Sequence, residues 1–138
     1  MGPTDDLKRQ HKTILELVQQ IEQCLAPNKL AQDADAVKET LTMLTRMLTT
    51  HLATEDSELF PMILTRHNES ARRKMRVFIE EISTLAGLFK TYAAKWNSAE
   101  QIREKTGEFC EESSVILRFL RDRIQWEETE IYPLADTL

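Results

Sequence analysis

The sequence predicts an all-α protein, folded as an up-down-up-down antiparallel four-helix bundle. Apolar residues recur at helical spacing in four long segments, and short polar or proline-containing stretches separate these segments. No segment alternates apolar and polar residues as a half-buried strand would. The 138 residues contain three glycines and four prolines, which is few for an all-β fold with many turns. This length predicts one domain, spanning residues 1–138.

The first predicted helix begins after Asp5 or Asp6, either of which could cap it. Pro27 is expected to end this helix, because a residue before proline disfavours the helical conformation. The face of the helix that should point into the core consists of Leu7, His11, Ile14, Val18, Ile21 and Leu25.

The second predicted helix begins around Asp33 or Asp35. It should stop or kink at Pro61, because proline cannot continue the backbone hydrogen-bond ladder. A turn is predicted from Thr65 to Ser70. The core-facing residues of this helix are Val37, Leu41, Leu44, Leu48, His51, Glu55 and either Glu58 or Leu59.

The third predicted helix runs from about Glu69 to Trp96, and the fourth from about Ser98 to Tyr132. Gly107 lies inside the fourth helix and predicts a kink or close packing there. The core-facing residues of the third helix are Met75, Phe78, Ile82, Leu85, Phe89, Tyr92 and Trp96. Those of the fourth are Ile102, Thr106, Phe109, Ser113, Ile116, Leu120, Arg123, Glu127 and Ile131.

The charge and the apolar pattern argue against several classes of protein. A net charge of −5 is unlike that of most nucleic-acid-binding proteins. No apolar run has the 18 or more residues that a membrane-spanning helix needs, and the polar N-terminus lacks a signal core. Cys24 and Cys110 lack metal-site spacing and are expected to be reduced. We therefore expect a cytoplasmic protein that binds neither nucleic acid nor membrane.

Polar residues interrupt the apolar faces at one end of the predicted bundle. In an antiparallel arrangement, the start of the first helix lies level with the ends of the second and fourth. The polar residues that share this level are His11, His51, Glu55, Arg123 and Glu127. Burying them unpaired would be costly, so they must satisfy one another, bind a cation or line a wet cavity.

An internal repeat ends the second and fourth predicted helices. The pattern E-x-x-E-[LI]-[FY]-P begins at Glu55 in one copy and at Glu127 in the other. Four residues before these glutamates stand His51 and Arg123, respectively. The repeat implies a pseudo-two-fold pair of helix ends that face each other.

With these residues in place, nearly the whole chain resembles the hemerythrin-like, or HHE cation-binding, family. The resemblance implies a four-helix bundle with two irons bridged by two carboxylates. His11 matches the family's histidine on the first helix. His51 and Glu55 match the H-x-x-x-E pair on the second helix, and Glu127 matches the carboxylate on the fourth.

The sequence departs from the family at the remaining ligand positions. The two histidines of the third helix would fall at Met75 and Ile79, and the histidine of the fourth helix at Arg123. None of these side chains is a good ligand for a hard or borderline cation. The resemblance therefore implies that one of the two metal sites is lost. The metal ligands that remain are His11, His51, Glu55 and Glu127.

Two interpretations of this degenerate site stay open. In the first, the four residues bind one metal ion and the protein senses or stores iron, oxygen or nitric oxide. Iron is the ion that the family suggests, and zinc or manganese also suits two imidazoles and two carboxylates. In the second, no metal binds because Arg123 closes the site by bridging Glu55 and Glu127.

The metal-free alternative would be a regulatory or interaction bundle with a protein partner. Leu52, Leu88 and Phe119 lie off the main apolar faces and are candidates for its contact surface. An enzyme is the less favoured class, because the chain has no nucleophile elbow, phosphate-binding loop or Cys/His pair.

Overall fold

The computed structural model describes residues 2–138, and within that range it is helical without strands. The four long helices are α1 (Asp5–Glu22), α2 (Pro27–Thr54), α4 (Glu69–Lys95) and α6 (Thr106–Trp126). Three short helices are α3 (Phe60–Arg66), α5 (Ala99–Glu104) and α7 (Tyr132–Asp136). Two π-helical turns, Glu55–Leu59 and Glu127–Ile131, join α2 to α3 and α6 to α7. The all-α class predicted from the sequence is confirmed.

Helix α6 packs against α1, α2 and α4, and α1 packs along α2. Helix α4 runs antiparallel to α6 and the π-turn that follows α6. Lys74, near the start of α4, pairs with Glu130, and Tyr92, near its end, hydrogen-bonds to Ser113. The start of α1 lies beside the C-terminal end of the chain, where the Thr4 hydroxyl donates to Asp136 at 2.8 Å. The polar residues predicted to share one level can therefore meet.

The helix boundary that we predicted from Pro27 is wrong, and the one predicted from Pro61 lies a few residues earlier than expected. Helix α1 ends at Glu22, and Pro27 is the first residue of α2, which therefore starts before Asp33. Near Pro61 the expected interruption is present, but it lies before the proline: α2 ends at Thr54, a π-turn follows, and Pro61 lies in the first turn of α3. In a first turn the missing N–H of proline costs no hydrogen bond, so both prolines are tolerated.

The two copies of the repeat form the same local structure. The N–H of Phe60 donates to the carbonyl of Glu55, and the N–H of Tyr132 donates to that of Glu127, each five residues back. Such π-turns carry one residue more than an α-helical turn and occur frequently at functional sites. Each copy therefore begins a π-turn with a buried glutamate.

The fourth predicted helix is interrupted close to the expected position. The break lies at Lys105, whose backbone angles of φ −131° and ψ 52° separate α5 from α6. The alternative of close packing at Gly107 is wrong, because a Cβ atom added there would have no neighbour within 4 Å.

Apolar side chains fill the interior away from the polar level. The Trp96 and Phe109 rings meet edge to face at 5.1 Å between centroids, at the far end of α4. Cys24 and Cys110 are both free, as the sequence predicted. Within the described residues, no helix is both long and apolar enough to cross a membrane.

Gly87 provides a test of helix α4. It lies in the interior of the helix, and an added Cβ would have no neighbour within 4 Å. Gly87→Ala should raise the free energy of unfolding by about 0.5–1 kcal/mol, because alanine loses less conformational entropy than glycine. Urea denaturation monitored by circular dichroism would measure the change.

Gly107→Ala is the matched control. This glycine also has open space around it but lies in the first turn of α6, so its gain should be smaller. A loss of stability in Gly87→Ala would contradict the packing described for α4.

Candidate metal centre

The structure brings together all four residues that the sequence singled out as metal ligands. His11 comes from α1 and His51 from the last turn of α2, while Glu55 and Glu127 open the two π-turns. Each of the four is at most 2% exposed. One donor atom from each lies within 4.8 Å of the others. Elsewhere in residues 2–138 no other group of three or more potential ligand residues converges in this way.

The contacts between these residues join imidazole nitrogens to carboxylate oxygens. His11 Nε2 lies 2.9 Å from Glu127 Oε1, and His51 Nε2 lies 3.3 Å from Glu55 Oε2. His51 Nε2 is also 3.9 Å from Glu127 Oε1. Each imidazole thus turns Nε2 toward the middle of the cluster.

Hydrogen bonds on the outer side fix the orientation of both imidazole rings. His11 Nδ1 donates to Glu128 Oε2 at 2.7 Å, and His51 Nδ1 donates to Gln10 Oε1 at 2.7 Å. With a proton on Nδ1, a neutral imidazole presents a lone pair on Nε2. Histidines that bind metals are commonly held in this way by an outer acceptor.

Sequence reasoning missed both of these outer acceptors. Each is a chain neighbour of a predicted ligand, since Gln10 precedes His11 and Glu128 follows Glu127. That adjacency was the available signal, but helical periodicity alone does not show which of two flanking residues faces a neighbouring helix.

Tyr132 also belongs to the centre and was missed. Its hydroxyl donates to Glu55 Oε2 at 2.7 Å and lies 3.2 Å from His11 Nε2. The phenol ring stacks on the His11 ring at 5.2 Å between centroids. Burial, together with the Glu127 and Glu55 carboxylates, raises the pKa of Tyr132 far above its usual value. The phenol therefore stays protonated and acts as a donor.

Several polar atoms that point into the centre have no hydrogen-bond partner. They are Glu55 Oε1, Glu127 Oε2 and His51 Nε2, all of them buried. Leaving buried polar groups unsatisfied costs on the order of 1–3 kcal/mol each, and more for charged groups. A cation among these atoms would remove that cost.

The two carboxylates and the two imidazoles shift one another's pKa values. Burial raises the pKa of Glu55, and the adjacent Glu127 raises it further. Burial also acts to raise the pKa of Glu127, but the neighbouring imidazoles of His11 and His51 outweigh burial and hold this pKa below its usual range. For His51, burial lowers the pKa, yet the nearby carboxylates of Glu127 and Glu55 prevail and raise it to about 9. The cluster therefore favours a positive charge at its centre.

The donor atoms fit a metal ion. In octahedral coordination with metal–ligand distances of about 2.1 Å, adjacent ligands are about 3 Å apart and opposite ligands about 4.2 Å apart. The two shortest contacts among the four proposed ligands, 2.9 and 3.3 Å, match the adjacent spacing. The largest separation, 4.8 Å, needs an inward shift of a few tenths of an ångström. The unpartnered oxygens of Glu55 and Glu127 are hard donors that suit such an ion.

The second interpretation left open by the sequence, in which Arg123 bridges Glu55 and Glu127, does not match the contacts of Arg123. Its Nη1 pairs instead with Glu81 on α4, and its guanidinium lies 5.8 Å from the centroid of the Trp126 ring. Among the described residues, no ion pair joins Arg123 to either carboxylate of the centre. The guanidinium is diverted because Glu81 supplies a nearer carboxylate that needs far less dehydration, being 41% exposed.

Met75 and Ile79, which the sequence analysis matched to the histidines of the third helix, are not among the residues that converge in the centre. Met75 is fully buried, and Ile79 is half-buried against the core. Between Arg123 and the cluster lies a small cavity of about 10 Å³, also lined by His11, His51 and Glu127.

Comparison with known proteins agrees with this geometry. The hemerythrin HHE cation-binding domain model matches residues 2–135. Neither a curated protein nor a solved structure gives a significant match to the chain. The family model covers nearly the whole chain, including all four residues of the candidate centre. The chain therefore belongs to the hemerythrin HHE cation-binding domain family.

Proposed function

We propose that this protein binds a single metal ion, with iron as the ion that the family suggests, and serves as a metal-binding or sensing domain. The proposed ligands are His11, His51, Glu55 and Glu127. The observation that carries this proposal is the group of buried, unpartnered atoms that converge in the centre. Zinc and manganese also suit this ligand set, so loading experiments should include them.

The geometry around His11 supports the need for a cation. His11 Nδ1 donates a hydrogen bond to Glu128, so a neutral His11 ring directs its Nε2 lone pair at a carboxylate oxygen of Glu127, 2.9 Å away. The Tyr132 oxygen lies 3.2 Å from the same nitrogen, but the Tyr132 hydroxyl donates its hydrogen bond to Glu55. A lone pair facing a carboxylate is stable only with a proton or metal ion between them. Two imidazoles and two carboxylates offer a metal ion four ligands at once.

We further propose that the second metal position of the family is lost. Met75 and Ile79 stand where the resemblance places the histidines of the third helix, and neither offers a nitrogen or oxygen ligand. Arg123, which stands where the family has the histidine of the fourth helix, pairs with Glu81 and has no lone pair to offer a second ion.

The surroundings of the centre suit a small ligand. A bound iron ion would supply redox chemistry and open coordination positions. Apolar side chains of Ile14, Leu48, Ile82 and Leu120 line the small cavity beside His11 and His51. The cavity volume of about 10 Å³ is at the lower limit for a single water molecule. This argues against turnover of a larger substrate at the centre.

The antiparallel contacts of α6 support the finer architecture as well. We propose that the four long helices form one up-down-up-down bundle as a single domain. The metal-free alternative is weaker, because it needs Arg123 to neutralise Glu55 and Glu127 while Arg123 pairs with Glu81.

Metal content tests the ligand assignment. After anaerobic loading with iron, zinc or manganese, mass spectrometry should find about one metal ion per chain, and His51→Ala should lose it while remaining folded. His67→Ala is the matched control, since His67 is the remaining histidine and lies outside the cluster. Two ions per chain would show that the second site survives. No metal under any loading would refute the proposal.

Tyr132→Phe tests how the Glu55 carboxylate is held. The variant keeps the ring but loses the hydroxyl that donates to Glu55. We expect one metal ion per chain to remain, bound roughly 10–100-fold more weakly, as is typical when an outer hydrogen bond to a ligand is removed. Competition with a chelator of known affinity would measure this.

Tyr92→Phe provides the comparison for that measurement. Its hydroxyl is also buried but bonds to Ser113, away from the centre. Metal affinity should be unchanged in this variant. An equal loss in both variants would mean that general packing, and not the Glu55 contact, sets the affinity.

A further inference from the structure

The outer face between α4 and α6 exposes apolar side chains that the metal centre does not use. Val115 is 71% exposed and Leu88 is 51% exposed, and the half-buried Phe119 lies beside them. All three line an open apolar cavity of about 460 Å³. Leu88 and Phe119 are among the residues that the sequence analysis proposed as a partner surface. The third of those residues, Leu52, packs partly against the core.

Unpaired charges accompany these apolar residues on the same face of α6. Glu111, Arg118 and Asp122 lie within one turn of Val115 or Phe119, and all three are exposed. Among the described residues, none of the three forms an ion pair. By contrast, the neighbouring cations are paired, Lys95 with Glu108 and Glu112, and Arg121 with Glu22. This α4–α6 face therefore combines exposed apolar groups with free charges of both signs.

We propose that the α4–α6 face is the interface of a homodimer in which the α6 helices of two copies pack antiparallel. The two-fold axis passes close to Val115. Glu111 stands four residues before Val115 and Arg118 three residues after it. At 1.5 Å per residue, these charges lie about 6.0 and 4.5 Å from Val115 in opposite directions along the helix.

That spacing makes the face complementary to itself. In an antiparallel copy the order of charges is reversed, so each Glu111 falls opposite Arg118 of the other chain, with an axial offset of about 1.5 Å. The symmetry creates this ion pair twice. Val115, the most exposed large apolar residue of the described chain, meets its own copy at the axis. An apolar centre with a polar rim is typical of protein interfaces.

The remaining charges of the face are compatible with this register. Asp122 stands seven residues after Val115, and Glu108 stands seven residues before it. In the antiparallel dimer, Asp122 of one copy therefore falls opposite Glu108 of the other. The charge of Glu108 is already taken by Lys95, whose Nζ lies 2.6 Å from its carboxylate. Glu111 and Asp122 also disfavour an anionic partner such as nucleic acid or an acidic membrane surface.

Sedimentation equilibrium of the full chain at low salt, from about 1 to 300 µM, tests the dimer. The wild type should show a concentration-dependent monomer–dimer equilibrium. Arg118→Glu should weaken it at least tenfold, because each Glu111 then faces a second acid. The double variant Glu111→Arg, Arg118→Glu should restore dimerisation, because the exchange preserves opposite charges across the axis.

A pair of valine variants checks the apolar part of the interface. Val115→Glu should abolish the dimer, and Met43→Glu should leave it intact, because Met43 is likewise exposed, at 49%, but lies on α2, outside the α4–α6 face. Circular dichroism and metal content establish that each variant is folded, and neither depends on the proposed interface. A wild type that stays monomeric throughout, or a dimer insensitive to Arg118→Glu, would overturn the proposal. Failure of the double variant to restore the dimer would overturn the antiparallel register.

Discussion

The burial of two carboxylates away from solvent is the constraint on which the rest of the structure depends. Glu55 and Glu127 come from different helices and lie side by side at one end of the molecule. Neither can stay ionised there without a compensating charge and donors. α1 must therefore present His11 at the same level, and α2 must place His51 in its last turn. These polar contacts fix how the helices are aligned along their axes, which an apolar core alone would fix only loosely.

Much of the fold and of the centre could be predicted because both depend on helical periodicity. His11, His51, Glu55 and Glu127 interrupt otherwise apolar faces, and an antiparallel arrangement brings such interruptions to one level. The helix ends were harder to predict. A proline opposes helix only beyond the first turn, and the sequence does not show whether Pro27 lies after one helix or at the start of the next.

The partner of Arg123 could not be predicted for a different reason. Its position on the inward face of α6 was correct, but a long flexible side chain can reach carboxylates on several neighbouring helices. Glu81 offers a half-exposed carboxylate, so its pairing with Arg123 avoids the dehydration that a bridge between Glu55 and Glu127 would require. Helical periodicity shows which side of the helix carries the Cα atom of such a residue, but it does not show where the charged group at the end of the side chain lies.

The π-turns explain why Tyr132 escaped an analysis based on α-helical spacing, and they have a consequence for the length of these segments. Residues five apart on an α-helix point about 140° away from each other, so that spacing would separate Tyr132 from Glu127. The wider turn brings both onto the inner side. Removing one residue between them would leave Tyr132 four residues after Glu127, and α-helical winding places residues four apart within about 40° of each other. Each π-turn therefore accommodates one additional residue while the side chains that follow it keep their direction toward the centre.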